Sequence, residues 1–178
     1  KALLDSVGIP TVPGAVVTKE SRYDISFKSL CDQFACTELF VKPSACGSSI
    51  GVSRVRCSDD FDRALTEALC YDATVLIEKA IVAREIECSV MGNQVVHTAL
   101  PGEVVMQDAF YDYAAKYVNN TAEVVTPARL QPRQVTAIRS LAQRVYTTLN
   151  CCGLARVDFF LTADNQLFVN EVNTLPGF

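Results

Sequence analysis

The end of the chain combines apolar residues with two polar ones that could bind a charged ligand. NEVNTLPGF places Glu171 and Asn173 two residues apart, so both side chains point to the same face of a strand. LARVDFFL, a little earlier, is also predicted to be a strand. A two-residue turn at Asp164-Asn165 would join the two strands into a hairpin. The register of that hairpin decides which polar side chains meet.

This register places Asp158 opposite Glu171 and Arg156 opposite Asn173, so the four side chains share one face. Two facing carboxylates repel each other unless a positive charge neutralises them. Mg²⁺ is the natural candidate, because it takes carboxylate and amide oxygens together with substrate phosphates. Arg156 could hold a second anion or a developing oxyanion. The alternative is a solvated hairpin face on which Arg156 and Asp158 form an ordinary ion pair.

A lysine and a loop of small residues lie together in FVKPSACGSSIGV. Lys42 stands near the end of a predicted strand and adds a positive charge. The small residues would let backbone N–H groups approach phosphate oxygens; they are Gly47, Ser48, Ser49 and Gly51. No G-K-[ST] follows the glycines, so the loop is not a Walker A motif. The alternative is a plain Gly/Ser turn between two strands.

Charged residues also surround a short linker in VLIEKAIVAREIE. Glu78-Lys79 ends a hydrophobic strand, and Glu85 opens the next one. Backbone groups of such a linker could read the edge of a purine, while an acid a few residues later could accept hydrogen bonds from ribose hydroxyls. A solvated strand end is the alternative.

Aromatic residues are concentrated in FYDYAAKY, inside a long segment that we predict to be irregular, residues 101–130. The rings could stack on a base or close a lid, and Lys116 could meet a phosphate when the lid is closed. The alternative is a hydrophobic cluster that holds the loop against the protein.

Helices and strands must position these groups. Besides the end of a helix at residues 1–7, the predicted helices are SFKSLCDQFAC, SDDFDRALTEALCYD and residues 131–149. In the second, Ser58 is predicted to cap the helix, and a buried stripe is predicted at Phe61, Leu65, Ala68 and Leu69. Helices interleaved with hairpin-like strands predict an α+β fold with a small lobe, residues 1–79, and a larger lobe, residues 80–178.

The composition, 49% hydrophobic and 20% charged, is that of a globular protein. A net charge of −4 argues against a nucleic-acid-binding surface. No apolar run is long enough to span a membrane, and the start has no signal-peptide pattern, so we expect a cytoplasmic protein. The eight cysteines lack zinc-ligand spacing, and we expect most of them to be small buried residues in a reducing compartment.

Taken in order, these stretches resemble the ATP-grasp ligases, and in particular the D-alanine–D-alanine ligase group. The matching stretches are FVKPSACGSSIGVS, VLIEKAI with REIE, FYDYAAKY, LARVDFFL and VNEVNTLPGF. The resemblance implies two α+β lobes that grip ATP between them, with residues 1–79 as the lid. It implies ATP and Mg²⁺ or Mn²⁺ as cofactors, and a homodimeric parent protein. It also implies a reaction in which ATP phosphorylates one D-alanine and the amine of a second attacks, forming the dipeptide of peptidoglycan precursors.

The resemblance assigns roles to individual residues of this sequence. Those implied to contact ATP are Lys42, Glu78, Lys79, Ile81, Glu85, Phe110 and Lys116, of which the first and last would hold phosphates and Phe110 would lie against the base. Those implied to bind magnesium are Asp158, Glu171 and Asn173. Those implied to stabilise or orient the reacting groups are Arg156, the Gly177 backbone N–H, Ser48 and Tyr117, with Tyr111 in the substrate loop.

The sequence also departs from the family. It lacks the N-terminal domain, where the family keeps a Glu for the first substrate and a further ATP-binding lysine, and it stops before the serine beyond the Pro-Gly turn. We therefore expect an excised or truncated part of a longer ligase, inactive alone. Ala80 stands where some relatives have an aromatic residue, which weakens one adenine contact. The alternatives are a ligase that uses D-serine or D-lactate, which YDYAAKY disfavours, and a non-catalytic ATP-binding module.

Overall fold

The computed structural model describes residues 1–47, 49–106 and 122–176, which form two compact units. The smaller unit is residues 12–80, and the larger unit is residues 1–11, 81–106 and 122–176. In the described part of the chain, no helix is long and apolar enough to cross a lipid bilayer.

The described helices and strands alternate along the chain. In order they are α1 (Ala2–Ser6), β1 (Gly14–Thr18), α2 (Phe27–Phe34), β2 (Leu39–Pro43), β3 (Ser53–Val55), α3 (Ser58–Tyr71), β4 (Thr74–Lys79), β5 (Ala83–Gly92), β6 (Val96–Thr98), β7 (Gly102–Met106), β8 (Ala122–Val125), α4 (Pro132–Thr148), β9 (Gly153–Thr162) and β10 (Leu167–Asn173). A short 3-10 turn, Ser21–Asp24, follows β1.

The smaller unit is an antiparallel sheet in the order β1-β4-β2-β3, packed against α2 and α3. Alternate residues of its strands, such as Val41 on β2 and Ile77 on β4, are fully buried in the core. Because side chains alternate between the two faces of a strand, Lys42 points to the other face of β2. The helical packing therefore holds the strands that carry the predicted ATP-binding residues of this unit.

Helix α3 supplies most of the helical part of that core. Its predicted stripe is confirmed, since each member is at most 4% exposed: Phe61, Leu65, Ala68 and Leu69. The predicted cap is wrong, because Cys57 is the last residue with extended backbone and Ser58 already lies within the helix. Only a side chain at the N-cap position is placed to accept a hydrogen bond from the unpaired backbone N–H groups of the first turn. Ser58 is one residue beyond that position.

The larger unit is an antiparallel sheet in the order β10-β9-β5-β7-β8, with β6 paired to β5. Helix α4 packs on one face of this sheet through its buried residues Ile138, Leu141, Ala142, Val145 and Tyr146. The Tyr146 hydroxyl lies 2.6 Å from the Gly92 carbonyl oxygen and 3.0 Å from that of Gly153, where the antiparallel strands β5 and β9 end and begin. The opposite face of the sheet carries the polar residues described below.

The first eleven residues belong to the larger unit, which differs from the predicted lobe of residues 1–79. Leu4 and Ile9 are buried in the core of the larger unit. The Val169 N–H donates to the Pro10 carbonyl oxygen at 2.9 Å, and Thr11 forms a bridge with Val169. These contacts join residues far apart in sequence, so local patterns did not reveal them.

We predicted that the segment 101–130 is irregular, and this is wrong for part of it. The segment contains β7 and β8, which pair with each other. Strands of four or five residues show too little alternation to be recognised beside a long polar stretch. Residues 107–121 lie outside the described part of the chain.

The expectation that most cysteines are buried is wrong. All eight are free thiols, and of these Cys88 alone is buried, while Cys57, Cys70 and Cys152 are exposed. Cysteine is small and uncharged and occurs both in cores and on surfaces. Whether a given cysteine is buried therefore depends on where the fold places it.

Candidate functional site

The final hairpin brings together the residues predicted to face each other, although its turn differs from the prediction. Asn165, with φ 66, donates to the Thr162 carbonyl oxygen, and the Thr162 N–H donates to the Gln166 carbonyl oxygen at 3.0 Å. The connection is therefore one residue longer than the predicted two-residue turn. The pairing Leu161 with Leu167 is accordingly shifted by one residue from our register.

A bulge corrects this shift before the polar residues are reached. The register changes between Val169 and Glu171, after which Asp158 pairs with Glu171 and Asn173 pairs with Arg156. An extra residue in one strand of an antiparallel pair changes the register by one. The predicted cross-strand pairs are confirmed, but they arise from a longer turn and a bulge that offset each other.

The polar side chains of the hairpin form a connected cluster. Arg156 binds Asp158 through two bonds, with Nε 2.8 Å from Oδ1 and Nη2 2.9 Å from Oδ2. The Asn173 amide donates to Asp158 Oδ2 at 2.9 Å and to Glu171 Oε1 at 3.2 Å. Val157, the residue between Arg156 and Asp158, is buried in the core on the other face. The alternation of β9 thus exposes its polar residues on one side of the sheet.

Burial raises the pKa of the Asp158 carboxyl to about 6, with Arg156 opposing the shift and Glu87 and Glu171 adding to it. The hydrogen bonds that Arg156 donates to the Asp158 carboxylate raise the pKa of Arg156, so this guanidinium stays protonated. Because several carboxylates surround a single guanidinium here, the cluster has an excess of negative charge when all are ionised. Such an excess favours the binding of a cation.

Glu87 is a member of this cluster that we did not predict. It pairs with Asp158 across the neighbouring strands β5 and β9, and its Oε1 lies 3.4 Å from Arg156 Nε. A signal existed in REIEC, where Glu85 and Glu87 alternate with the buried residues Ile86 and Cys88. Period-2 alternation of this kind predicts that both acids lie on one face, but the register against β9 could not be derived from it.

The donor set fits a hard divalent cation. Asp158, Glu171 and Asn173 offer carboxylate and amide oxygens, which are the ligands that Mg²⁺ prefers. No group of three or more His, Cys, Asp or Glu side chains within the described residues is already arranged to hold a metal ion. The metal-binding role of these three residues stays a prediction.

In the smaller unit, two of the residues predicted to contact ATP bind each other. Lys42 Nζ lies 2.7 Å from Glu78 Oε2, across the adjacent strands β2 and β4. Glu78 is only 4% exposed, and charged groups buried to this extent are usually paired. The two residues thus form one charged unit, and their contacts with ATP stay predictions.

Lys79 has a structural partner in the smaller unit. Its ammonium group donates to the carbonyl oxygens of Phe34 and Ala35, each at 3.1 Å, at the carboxyl end of α2. A cation at this position satisfies helix-terminal carbonyl groups and interacts favourably with the helix dipole. The side chain therefore stabilises α2, which the sequence pattern did not indicate.

The remaining predicted residues are divided between described and undescribed parts of the chain. Ile81 is half-buried and lies, in sequence, between the end of β4 and the start of β5. Glu85 pairs with Phe160 on the same sheet as the hairpin cluster. The residues that lie outside the described part of the chain are Ser48, Phe110, Tyr111, Lys116, Tyr117 and Gly177.

The small-residue loop has one glycine that we expect to be irreplaceable. Gly51 has φ +71, and a Cβ there would lie 2.7 Å from the Tyr71 ring and 2.9 Å from Pro43. Gly51→Ala should lower the free energy of unfolding by roughly 1–3 kcal/mol, because it combines left-handed backbone strain with a steric clash. Gly47 is the control, because a Cβ added there would have no atom within 4 Å. Gly47→Ala should change the free energy of unfolding by less than about 0.5 kcal/mol. Urea denaturation measures both, and equal effects would contradict the prediction.

Known proteins resemble this chain over its whole length. The protein-family model described as D-ala D-ala ligase C-terminus matches residues 3–178. A D-alanine–D-alanine ligase of Proteus mirabilis is 45% identical over 179 residues, covering all of this chain and 49% of that protein. The structure of the D-alanine-D-alanine ligase from Coxiella burnetii has a TM-score of 0.84 at 32% identity, covering 99% of this chain and 46% of that chain. The crystal structure of the VanG D-Ala:D-Ser ligase from Enterococcus faecalis has a TM-score of 0.87 at 29% identity. The match covers 99% of this chain and 51% of that chain.

These similarities decide the family and the fold. The chain spans about half the length of the relatives it matches. The predicted α+β, ATP-grasp fold is confirmed by the likeness to the solved ligase structures. With a family match from residue 3 to the last residue, the chain belongs to the D-alanine–D-alanine ligase C-terminal family.

Proposed function

We propose that this chain is the ATP-binding catalytic part of a ligase that joins two D-alanine molecules. The observation that carries the proposal is the cluster of Arg156, Asp158, Glu171 and Asn173 on the final hairpin, in a chain of this family. A charged, half-buried cluster beside an apolar core suits a reaction in which phosphate charge must be neutralised.

The reaction has two steps. The γ-phosphoryl group of ATP passes to the carboxylate of the first D-alanine, which releases ADP and forms an acyl phosphate. The amine of the second D-alanine then attacks the acyl carbon, losing a proton, and inorganic phosphate leaves as the peptide bond forms. A divalent cation held by Asp158, Glu171 and Asn173 would neutralise charge on the phosphates.

The residues of the chain act by positioning and by charge. Arg156 donates to the developing oxyanion, with the backbone N–H of Gly177 as its partner, while Ser48 and Tyr117 orient the substrate. The ATP phosphates are held by Lys42 and Lys116. The base and ribose are held by Glu78, Lys79, Ile81, Glu85 and Phe110, and Tyr111 belongs to the substrate loop. The Lys42–Glu78 ion pair supports this assignment, because it keeps the ammonium group in a defined position on β2.

The product is a precursor of peptidoglycan, and the complete protein acts in the cytoplasm as a homodimer. D-Serine or D-lactate as the second substrate is the alternative within the family, since one similar structure is a D-Ala:D-Ser ligase. The 45% identity to the D-alanine–D-alanine ligase of Proteus mirabilis supports D-alanine as the second substrate of this protein. Residues 1–178 alone should bind ATP and Mg²⁺ without turnover, because the ligases that resemble the chain are about twice as long.

The test is ADP release by the complete gene product. With ATP, Mg²⁺ and D-alanine we expect ADP and D-alanyl-D-alanine in equal amounts, detected by a coupled assay and by mass spectrometry. Parallel reactions contain D-alanine with D-serine or with D-lactate. If the reaction with D-serine or with D-lactate were faster than that with D-alanine alone, that compound and not D-alanine would be the second substrate. ATP binding with no ADP release in any mixture would reject the ligase and leave a non-catalytic ATP-binding module.

A further inference from the structure

Glu87 lies on the polar face of the larger sheet, beside the hairpin cluster. Its strand, β5, runs next to β9 in the centre of the sheet, and Glu87 pairs directly with Asp158. Its neighbours Ile86 and Cys88 point into the core beneath α4. The alternation of β5 therefore directs the Glu87 carboxylate toward the same surface as Arg156 and Asp158.

The Arg156 guanidinium lies between carboxylates on two different strands. Its Nε is 2.8 Å from Asp158 Oδ1 and 3.4 Å from Glu87 Oε1. Asp158 is two residues away on the same strand and moves with the backbone of Arg156. Glu87 lies on the adjacent strand, β5, so its contact holds the guanidinium at a defined position relative to that strand. A contact of this kind restricts the orientation that the arginine adopts.

The environment makes this contact stronger than a surface ion pair. The side chains of Glu87 and Arg156 are 21% and 19% exposed. Solvent screens partly buried ion pairs less than exposed ones. The charge of Glu87 therefore contributes to the position of Arg156 rather than being lost to water.

We propose that Glu87 is a positioning residue, which holds Arg156 in the orientation required by the ligase reaction; this inference rests on the proposed function. Glu87 contacts the arginine and not the reacting atoms. A neutral side chain of the same shape would remove the attraction toward the carboxylate on β5 but keep the two hydrogen bonds to Asp158 on β9. The guanidinium would then be displaced from the position in which it meets the oxyanion, and turnover would fall more than ATP binding.

The test compares Glu87→Gln, Glu87→Asp and the wild type in the complete gene product. We expect Glu87→Gln to lower kcat roughly tenfold, a usual loss for a supporting contact, with the KM for ATP changed by less than about twofold. Glu87→Asp keeps the charge and should lose clearly less kcat than Glu87→Gln. Glu87→Gln with the kcat of the wild type, or Glu87→Asp no better than Glu87→Gln, would overturn the proposal.

A matched control lies on the opposite face of the same sheet. Glu103 on β7 binds Arg84 through two bonds, at 2.7 Å and 2.6 Å. Glu103→Gln removes a similar carboxylate from a similar arginine, yet it should leave kcat unchanged. A loss in this variant as large as in Glu87→Gln would overturn the proposal, because it would trace both effects to the stability of the sheet.

The arginine side chains give a second readout that is independent of activity. In ¹H–¹⁵N spectra, Glu87→Gln should shift the Nε–H resonance of Arg156, and Glu103→Gln should shift that of Arg84. An Arg156 resonance that does not move in Glu87→Gln would overturn the positioning role. Absence of D-alanine-dependent turnover in the wild type would instead reject the proposed function, while the resonances would still report whether Glu87 holds Arg156.

Discussion

Replacing Asp158 by Asn together with Glu171 by Gln is expected to reduce D-alanine-dependent ADP release by more than about a hundredfold. Both substitutions preserve the shape of the side chains but remove the two negative charges of the proposed cation site. The phosphate charge that develops during transfer would then lack its counterion. The measurement is kcat with a titration of Mg²⁺, in the complete gene product, beside calorimetry of ATP–Mg²⁺ binding.

The control removes two charges elsewhere. Asp62 and Glu67 are exposed on α3, and Asp62→Asn with Glu67→Gln should leave kcat and the Mg²⁺ dependence unchanged. If the variant at Asp158 and Glu171 bound ATP–Mg²⁺ as tightly as the wild type, the metal assignment would be wrong.

The pH dependence of stability separates this loss from misfolding. The folded-state pKa of Asp158, about 6, lies above its ordinary value of 3.8, so the folded protein disfavours the ionised form. The resulting penalty is absent below about pH 4 and complete above about pH 6. Without metal, the free energy of unfolding of the double variant should therefore rise relative to the wild type between these pH values. A parallel pH profile would show that Asp158 is not perturbed.

Phe61→Ala is expected to lower the free energy of unfolding of the smaller unit by about 3–5 kcal/mol. Phe61 is 2% exposed, and its ring lies 6.2 Å from that of Phe27 in the core between α2 and α3. The substitution removes a buried aromatic ring and leaves a cavity that the surrounding side chains fill only in part. This core supports the strands that carry Lys42 and Glu78, so ATP binding should weaken with it.

Urea denaturation measures this effect, and hydrogen exchange of the amides in residues 12–80 locates it. Tyr23 is the control, because it is an aromatic residue of the same unit that is 77% exposed. Tyr23→Ala should change the free energy of unfolding by less than about 0.5 kcal/mol. Equal losses in both variants would show that the ring of Phe61 is not part of a close-packed core.

The final hairpin illustrates how far the sequence could predict the site. The alternation of polar and apolar residues placed Arg156, Asp158, Glu171 and Asn173 on one face, which is what the structure has. The turn was wrong, because Asp-Asn suits several loop lengths and Asn165 tolerates a positive φ. The pairing was nevertheless correct, because the bulge before Glu171 offsets the longer turn. Bulges depend on packing against neighbouring strands, and no local pattern announces them.

Contacts between segments far apart in the chain could not be predicted from the sequence. The binding of Lys79 to the end of α2 joins residues more than 40 positions apart. The contact of Glu87 with Arg156 depends on the pairing of β5 with β9. Which strands are neighbours in a sheet is decided by the packing of the whole unit, so the partners of these charged groups could not be derived from spacing.

The sequence by itself determined the α+β class, most of the helices and strands, and the polar residues that distinguish one face of the final hairpin. These features depend on periods of two and 3.6 residues and on end signals, all of which are local. The tertiary structure decided the addition of Glu87 to the cluster, the pairing of Lys42 with Glu78, and the inclusion of residues 1–11 in the larger unit. Each of these depends on contacts between segments far apart in the chain, whose geometry is set when the sheets and helices pack together.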